Sequence, residues 1–229
     1  MLRTAVIGDI HGREGWKKIV DQEKWDRVVF NGDYFDTHEG ISPAQQLHNF
    51  KEIVTYAEAH PEVTLLIGNH DFHYFPGLAS ERYSGYQPED AIEINAALRK
   101  AIAILWVAAE DQGFLITHAG VTEPWLQRHM INANDGDLAD AINLAYDQWP
   151  EKFRFFMLDR SGYGDHELQG PLWVRPAALE SAFAVPKQIV GHTTQRQGVT
   201  QKGGLVFNDA IGAREFVIIN NGEVEVGKF

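Results

Sequence analysis

Six residues carry the chemistry that most constrains what this chain does: Asp9, His11, Asp33, Asn69, His118 and His192. Each stands at the end of an apolar run, in Gly8-Asp9-Ile10-His11, Gly32-Asp33, Gly68-Asn69, Thr117-His118 and Gly191-His192. Asp9 and His11 alternate across one residue, so at a strand end both can be directed to one point. Together the six supply two carboxylates, three imidazoles and one amide oxygen. Imidazole with oxygen ligands suits Mn, Fe, Zn or Ni, whereas an all-oxygen set favours Mg or Ca. If one carboxylate is shared, six residues suffice for two metals. Any one of these histidines, taken alone, reads more readily as a surface or hydrogen-bonded core residue. The repetition of the pattern at every position is what points to a metal site.

Positioning these residues requires strands whose ends meet. The runs at 2–7, 28–30, 63–67, 113–116 and 188–190 read as buried strands, each stopping at one of the polar motifs. In open α/β sheets such carboxyl ends converge on one crevice. Helical patterns fall at 14–23, 43–60, 88–104, 124–130 and 137–148. Strand and helix alternate up to about residue 120, which predicts an α/β fold with mixed or parallel sheet and covered faces. The tail reads as antiparallel strands at 204–207, 215–219 and 223–226, the last two joined by Asn220-Asn221-Gly222. One domain over residues 1–229 is expected. Segments 72–87 and 121–176, rich in aromatics, are candidate substrate walls; for 72–87 the competing reading is aromatic packing under an ordinary loop.

Composition sets the outer bounds. The chain has 229 residues, 44% hydrophobic and 23% charged, as in ordinary globular domains. No apolar run approaches the roughly 20 residues of a membrane span, and the first residues lack a signal-peptide pattern, so a cytoplasmic chain without membrane partners is expected. With no cysteine, disulfides, thiolate nucleophiles and Cys-based metal sites are excluded. A net charge of −12 opposes broad binding to nucleic acid or anionic lipid. No Gly-rich loop with a Lys follows a strand, which leaves nucleoside-triphosphatase chemistry unsupported. The stretch from Asn132 to Asp140 suggests a calcium loop, yet placing Gly136 sixth puts Ile131 and Ile142 where acids are required. A helix-capping loop is the better reading. Nothing in the sequence speaks to oligomeric state.

The motifs resemble those of the calcineurin-like metallophosphoesterase superfamily: Gly-Asp-x-His, Gly-Asp, Gly-Asn-His-Asp, a lone His and Gly-His, here Gly8 to His11, Gly32-Asp33, Gly68 to Asp71, His118 and Gly191-His192, in that order. The resemblance implies a sandwich of two mixed β-sheets flanked by helices, with the site on loops at strand ends. It also implies that Asp9, His11 and Asp33 hold one divalent ion and Asp33, Asn69, His118 and His192 the other, with Mn²⁺ favoured. Thr194 stands where many nuclease branches carry a second His. The segments Gly8 to Gly12, Gly32 to Asp36 and Leu172 to Arg175 look like the branch of phosphoprotein phosphatases and symmetrical bis(5′-nucleosyl)-tetraphosphatases. That branch commonly has Asp-Arg-Gly where this chain has Asp36-Thr37-His38, and His118-Ala119-Gly120 is nearer its tetraphosphatase side.

Two cations about 3.5–4 Å apart would neutralise a phosphoryl ester and acidify a bridging water. Asp33 is suited to bridge them. His70, next to a ligand but not needed as one, is free to protonate the leaving oxygen, the role the resemblance gives it. Asp36 looks like the partner that orients His70, against a plain cap or turn role. Because Thr37 carries no charge, the phosphate clamp is sought at Arg175 first and Arg160 second; either could instead pair with a carboxylate, and Arg82 is a weaker third. His38, His48, His60, His73, His129 and His166 read as surface residues, and Trp16, Trp25, Trp106, Trp125 and Trp149 as core. The expected activity is dinuclear metal-dependent hydrolysis of a phosphomonoester on a protein or small molecule. Hydrolysis of a dinucleoside polyphosphate is the alternative. A non-catalytic protein-binding scaffold on the same fold is the rival from another class, and the presence of every ligand and of His70 opposes it.

Overall fold

Alternate residues of each central strand face two different cores, which is why these strands read as unbroken apolar runs. In the computed structural model, which describes residues 2–75, 84–132, 137–156, 164–185 and 187–229, β1 (Arg3–Ile7), β2 (Arg27–Phe30), β3 (Val63–Leu66) and β4 (Leu105–Trp106) are parallel neighbours. β10 (Glu215–Asn220) and β11 (Glu223–Lys228) extend this sheet antiparallel from β1. The second sheet has the order β5 (Ala108–Asp111), β6 (Phe114–Thr117), β7 (Gln188–Val190), β9 (Leu205–Phe207) and β8 (Thr200–Lys202). Its β6, β7 and β9 are parallel and its two edges antiparallel. Both sheets are mixed.

Val6, Val29, Leu66, Val217 and Ile219 of the first sheet meet Phe114, Ile116, Ile189 and Val206 of the second, closing the sandwich. Their neighbours Ala5, Ile7, Val28, Phe30 and Leu65 point the other way, into a core with Trp16 and Ile19 of α1 (Gly15–Gln22), Phe50 and Ile53 of α2 (Pro43–Ala59), and Ile94 and Leu98 of α4 (Ala91–Ala101). Val190, Leu205 and Phe207 are covered by Ala178 and Leu179 of α7 (Pro176–Ala182). Each fully buried side chain of this size contributes about 1.5–3 kcal/mol, so three covered faces hold the strand ends rigidly. Ser42 starts α2 with a reciprocal capping box to Gln45, and Asp137 caps α6 (Leu138–Gln148) by accepting from the Asp140 N–H at 2.7 Å. The latter is the helix-capping role read for that loop.

Several elements depart from expectation. The pattern at 88–104 yields a helix only from Ala91 to Ala101, followed by a tight turn over Ile102–Ile104 and then β4. β4, β5, β8 and α7 have no counterpart in the sequence pattern. Trp106 and Trp149 are 45% and 46% exposed, so neither is a core residue. Of segment 72–87, residues 76–83 lie outside the described residues, and Phe72, Tyr74 and Phe75 are buried in the helical core. In segment 121–176, α5 (Glu123–His129) and α6 pack Trp125, Ile142 and Tyr146 against Phe153. No helix among the described residues is long and apolar enough to cross a membrane.

Candidate metal centre

Because β1, β2 and β3 are parallel in one sheet and β6 and β7 in the other, the loops that follow them meet. Asp9 and His11 follow β1, Asp33 follows β2, Asn69 opens the one-turn helix α3 (Asn69–Phe72) after β3, and His118 and His192 follow β6 and β7. His118 Nε2 lies 2.9 Å from Asn69 Oδ1 and 3.3 Å from Asp33 Oδ2. His192 Nδ1 lies 2.8 Å from the same Asn69 oxygen. On the other side His11 Nε2 is 3.7 Å from Asp33 Oδ2, and the His192 backbone N–H donates to both oxygens of Asp9 at 3.1 and 3.0 Å. Donor atoms of Asp9, His11 and Asp33 fall within 4.8 Å of one another, as do those of Asp33, His118 and His192. Asp33 belongs to both groups.

The local backbone shows why the motifs are written as they are. His11, Asp33 and His192 have φ of 44°, 51° and 61°, a left-handed conformation costing on the order of 1–3 kcal/mol for such residues and found where surroundings impose it. The motif glycines leave room for the carboxylates: a β-carbon on Gly191 would stand 2.1 Å from Asp9 Oδ1, and one on Gly68 2.1 Å from Asp33 Oδ1.

The sequence model of the calcineurin-like phosphoesterase family matches residues 2–196. The chain belongs to that family. A crystal structure of a metallophosphoesterase from Sphaerobacter thermophilus superposes with a TM-score of 0.55 at 17% identity, covering 100% of this chain and 88% of that one. A protein serine/threonine phosphatase from Saccharomyces cerevisiae, described as similar to human phosphatase PP5, gives a TM-score of 0.51 at 16% identity over 100% of this chain and 80% of the other. Both share its fold, the two mixed sheets flanked by helices that the motifs implied. No curated protein matches the sequence. Calcineurin-like phosphoesterases are dinuclear metal-dependent hydrolases, which makes this chain a phosphoester hydrolase.

The donor set fits the ions that the family uses. His118 Nδ1 donates to the Asn31 carbonyl at 2.8 Å and His11 Nδ1 to the Phe35 carbonyl at 2.5 Å, so each ring, when neutral, turns an Nε2 lone pair toward the centre. There His118 Nε2 faces only acceptors, Asn69 Oδ1 and Asp33 Oδ2, an arrangement that calls for a positive charge, either a proton or a metal ion. The charge balance agrees. Burial, with Asp209 and Asp33 nearby, pushes the Asp9 carboxyl well up. Burial alone would lower His118, but Asp33 and Asp9 outweigh it and raise it to about 10. The site is thus short of positive charge. Burial and the neighbouring Arg175 hold His192 well below its ordinary value, as a neutral ligand requires.

His70 sits on the rim of this centre. Its backbone N–H donates to Asp33 Oδ1 at 2.8 Å, and its ring Nδ1 lies 3.0 Å from Asp36 Oδ2. Burial alone would lower its pKa, but Asp33 and Asp36 raise it. Asp36 is no helix cap: it is buried, and the approach of the His70 and His73 rings overcomes the upward push of burial to hold it at about 2. Asp71 is structural, accepting from the Tyr34 and Gly68 backbone N–H groups at 2.8 and 2.9 Å; burial and Asp33 push it up to about 8.

Arg175 precedes α7 and donates through Nη1 to the His192 carbonyl at 3.0 Å and to Thr193 Oγ1 at 3.1 Å, with Asp33 and Asp9 within electrostatic reach. Arg160 and Arg82 lie outside the described residues. Two participants escaped the sequence reading. His73, which lacks motif context and reads as a surface residue, is buried with Nε2 2.6 Å from Asp36 Oδ2; its i, i+3 spacing from His70 on one helical turn is the signal for it. Asp209, 5% exposed, follows β9 and acts electrostatically on Asp9. The run Leu205-Val206-Phe207 ending in Asn208-Asp209 repeats the pattern of Phe30-Asn31-Gly32-Asp33. Beside the centre lies a cavity of about 380 Å³ lined by His11, Asp36, Asp209, Arg13, His38 and Arg196, among others.

Proposed function

We propose that this calcineurin-like phosphoesterase is a phosphomonoesterase that uses two divalent ions, Mn²⁺ foremost. Asp9, His11 and Asp33 would hold one ion; Asp33, Asn69, His118 and His192 the other. The observation carrying this reading is the placement of Asp33 Oδ2 between His11 Nε2 and His118 Nε2, at 3.7 and 3.3 Å, where one carboxylate serves both clusters. Such ions, when bound, supply charge neutralisation for phosphate and a more acidic water.

The protein's own groups do the rest. The Asp33 and Asn69 side chains are locked by backbone and imidazole contacts, so the centre needs little reorganisation. His70, whose pKa Asp33 and Asp36 raise against burial, would deliver its proton from Nε2 to the leaving oxygen. Arg175 supports the monoester reading: its guanidinium stands beside the His192 loop and offers fixed positive charge to nonbridging phosphate oxygens.

A second reading, dinucleoside polyphosphate hydrolysis, is favoured by the adjacent cavity, where His38 and Arg196 would face further phosphates. A panel decides between them: a phosphopeptide, an aryl phosphate, an aryl phosphodiester and diadenosine tetraphosphate, each with Mn²⁺. Preference for the first two supports the monoesterase; preference for the tetraphosphate overturns it.

A further inference from the structure

We infer that His73 is a positioning residue that aims the His70 ring by gripping the carboxylate between them. This rests on the reading of His70 as general acid. The two rings share one acceptor: His70 Nδ1 and His73 Nε2 approach Asp36 Oδ2 at 3.0 and 2.6 Å. The other oxygen, Oδ1, accepts from the Tyr74 hydroxyl at 2.5 Å and from Gln87 Nε2 at 3.0 Å, and the Gln87 backbone N–H donates to the Tyr74 oxygen at 2.9 Å.

An aspartate carboxylate turns easily about χ2, a broad torsion with no steep wells. Asp36 cannot, because donors hold both of its oxygens. Its backbone is fixed as well, with φ of 63° and with Gly85 so near that a β-carbon there would stand 2.9 Å from Asp36 Cβ. His73 is itself immobilised edge-on against Tyr74 and Tyr86, at centroid separations of 4.6 and 5.0 Å. Removing its ring would leave Oδ2 with His70 alone, and the His70–Asp36 pair would lose its bearing on the reaction centre. A proton donor displaced by a fraction of an ångström to an ångström loses up to about 10² in rate.

The test uses the full-length, metal-loaded protein with two substrates, phenyl phosphate with its poor leaving group and 4-nitrophenyl phosphate with its good one. The ratio of the two rates within one preparation is independent of the fraction folded. His73→Phe is expected to lose roughly 10–10² on phenyl phosphate and little on 4-nitrophenyl phosphate. His73→Gln, which keeps an N–H donor, should recover most of the loss, and His73→Leu repeats the test if the phenyl ring does not fit. Because His73 acts through Asp36 on His70, adding His73→Phe to His70→Asn should cost nothing further. Equal losses on both substrates, additivity with His70→Asn, or loss of bound metal from the His73 variants would overturn the inference; the last would mark Asp36, His70 and His73 as a metal site instead. If His70→Asn alone fails to discriminate the leaving groups, the general-acid reading has failed, whatever His73 does.

Discussion

Gly68 lies so close to Asp33 that a β-carbon at residue 68 would stand 2.1 Å from Asp33 Oδ1 and 2.5 Å from the Asp33 backbone nitrogen. The glycine of one motif is therefore the space occupied by the carboxylate of another. Neither motif can hold its geometry alone, and the strand ends of β2 and β3 are locked in register by that approach.

Gly68→Ala tests this closeness, and only sterics are at stake because Gly68 has an ordinary extended backbone with φ of −101°. The added methyl must displace Asp33. The variant should lose about 1–3 kcal/mol in urea unfolding, and both bound metal and turnover should fall by roughly tenfold or more. Wild-type metal content and rate in Gly68→Ala would mean that Asp33 moves aside without consequence.

The lines of the fold that depend on two-sided burial were legible beforehand. β1, β2, β3, β6 and β7 show as apolar runs because both faces of each are covered. β8 has all three residues exposed, and β5 reads Ala-Ala-Glu-Asp, so neither leaves an apolar trace. β4 follows α4 after one tight turn, which merged it with the helical pattern. The candidate ligand positions stand out in the sequence because each ends a buried strand. His73 does not, since its partner Asp36 is distant in sequence and only the fold brings them together.

As the proposed phosphate clamp, Arg175 would supply a charge that discriminates esters. A monoester dianion carries more charge on its nonbridging oxygens than a diester, so Arg175→Ala should lower monoester kcat/KM by roughly 10²-fold, about 2.7 kcal/mol, while sparing diesters. Since Arg175 also braces the His192 carbonyl, metal content is measured in parallel. Arg160→Ala serves as the control. Equal losses on both esters in Arg175→Ala, with metal retained, would assign Arg175 a purely structural role.

Asp36 also contributes to acid stability. Its carboxyl is held at about 2 against an ordinary 3.8. A group with a depressed folded pKa stabilises the fold above its unfolded value, and that contribution disappears as pH falls from about 4 to about 2; its size here is about 2 kcal/mol. The stability gap between wild type and Asp36→Asn should therefore be largest near pH 6 and narrow by about that amount toward pH 2. A gap that stays constant across this range would show that ionised Asp36 is not preferentially stabilised in the fold.

Metal content and turnover of 4-nitrophenyl phosphate, followed together through chelation and Mn²⁺ readdition, bear on the whole site at once. Two ions per chain are expected to leave with the activity and to return with it, and Asp33→Asn is expected to weaken both ions because it removes the charge they share. Full turnover in excess chelator with no bound metal would contradict a dinuclear centre at Asp33.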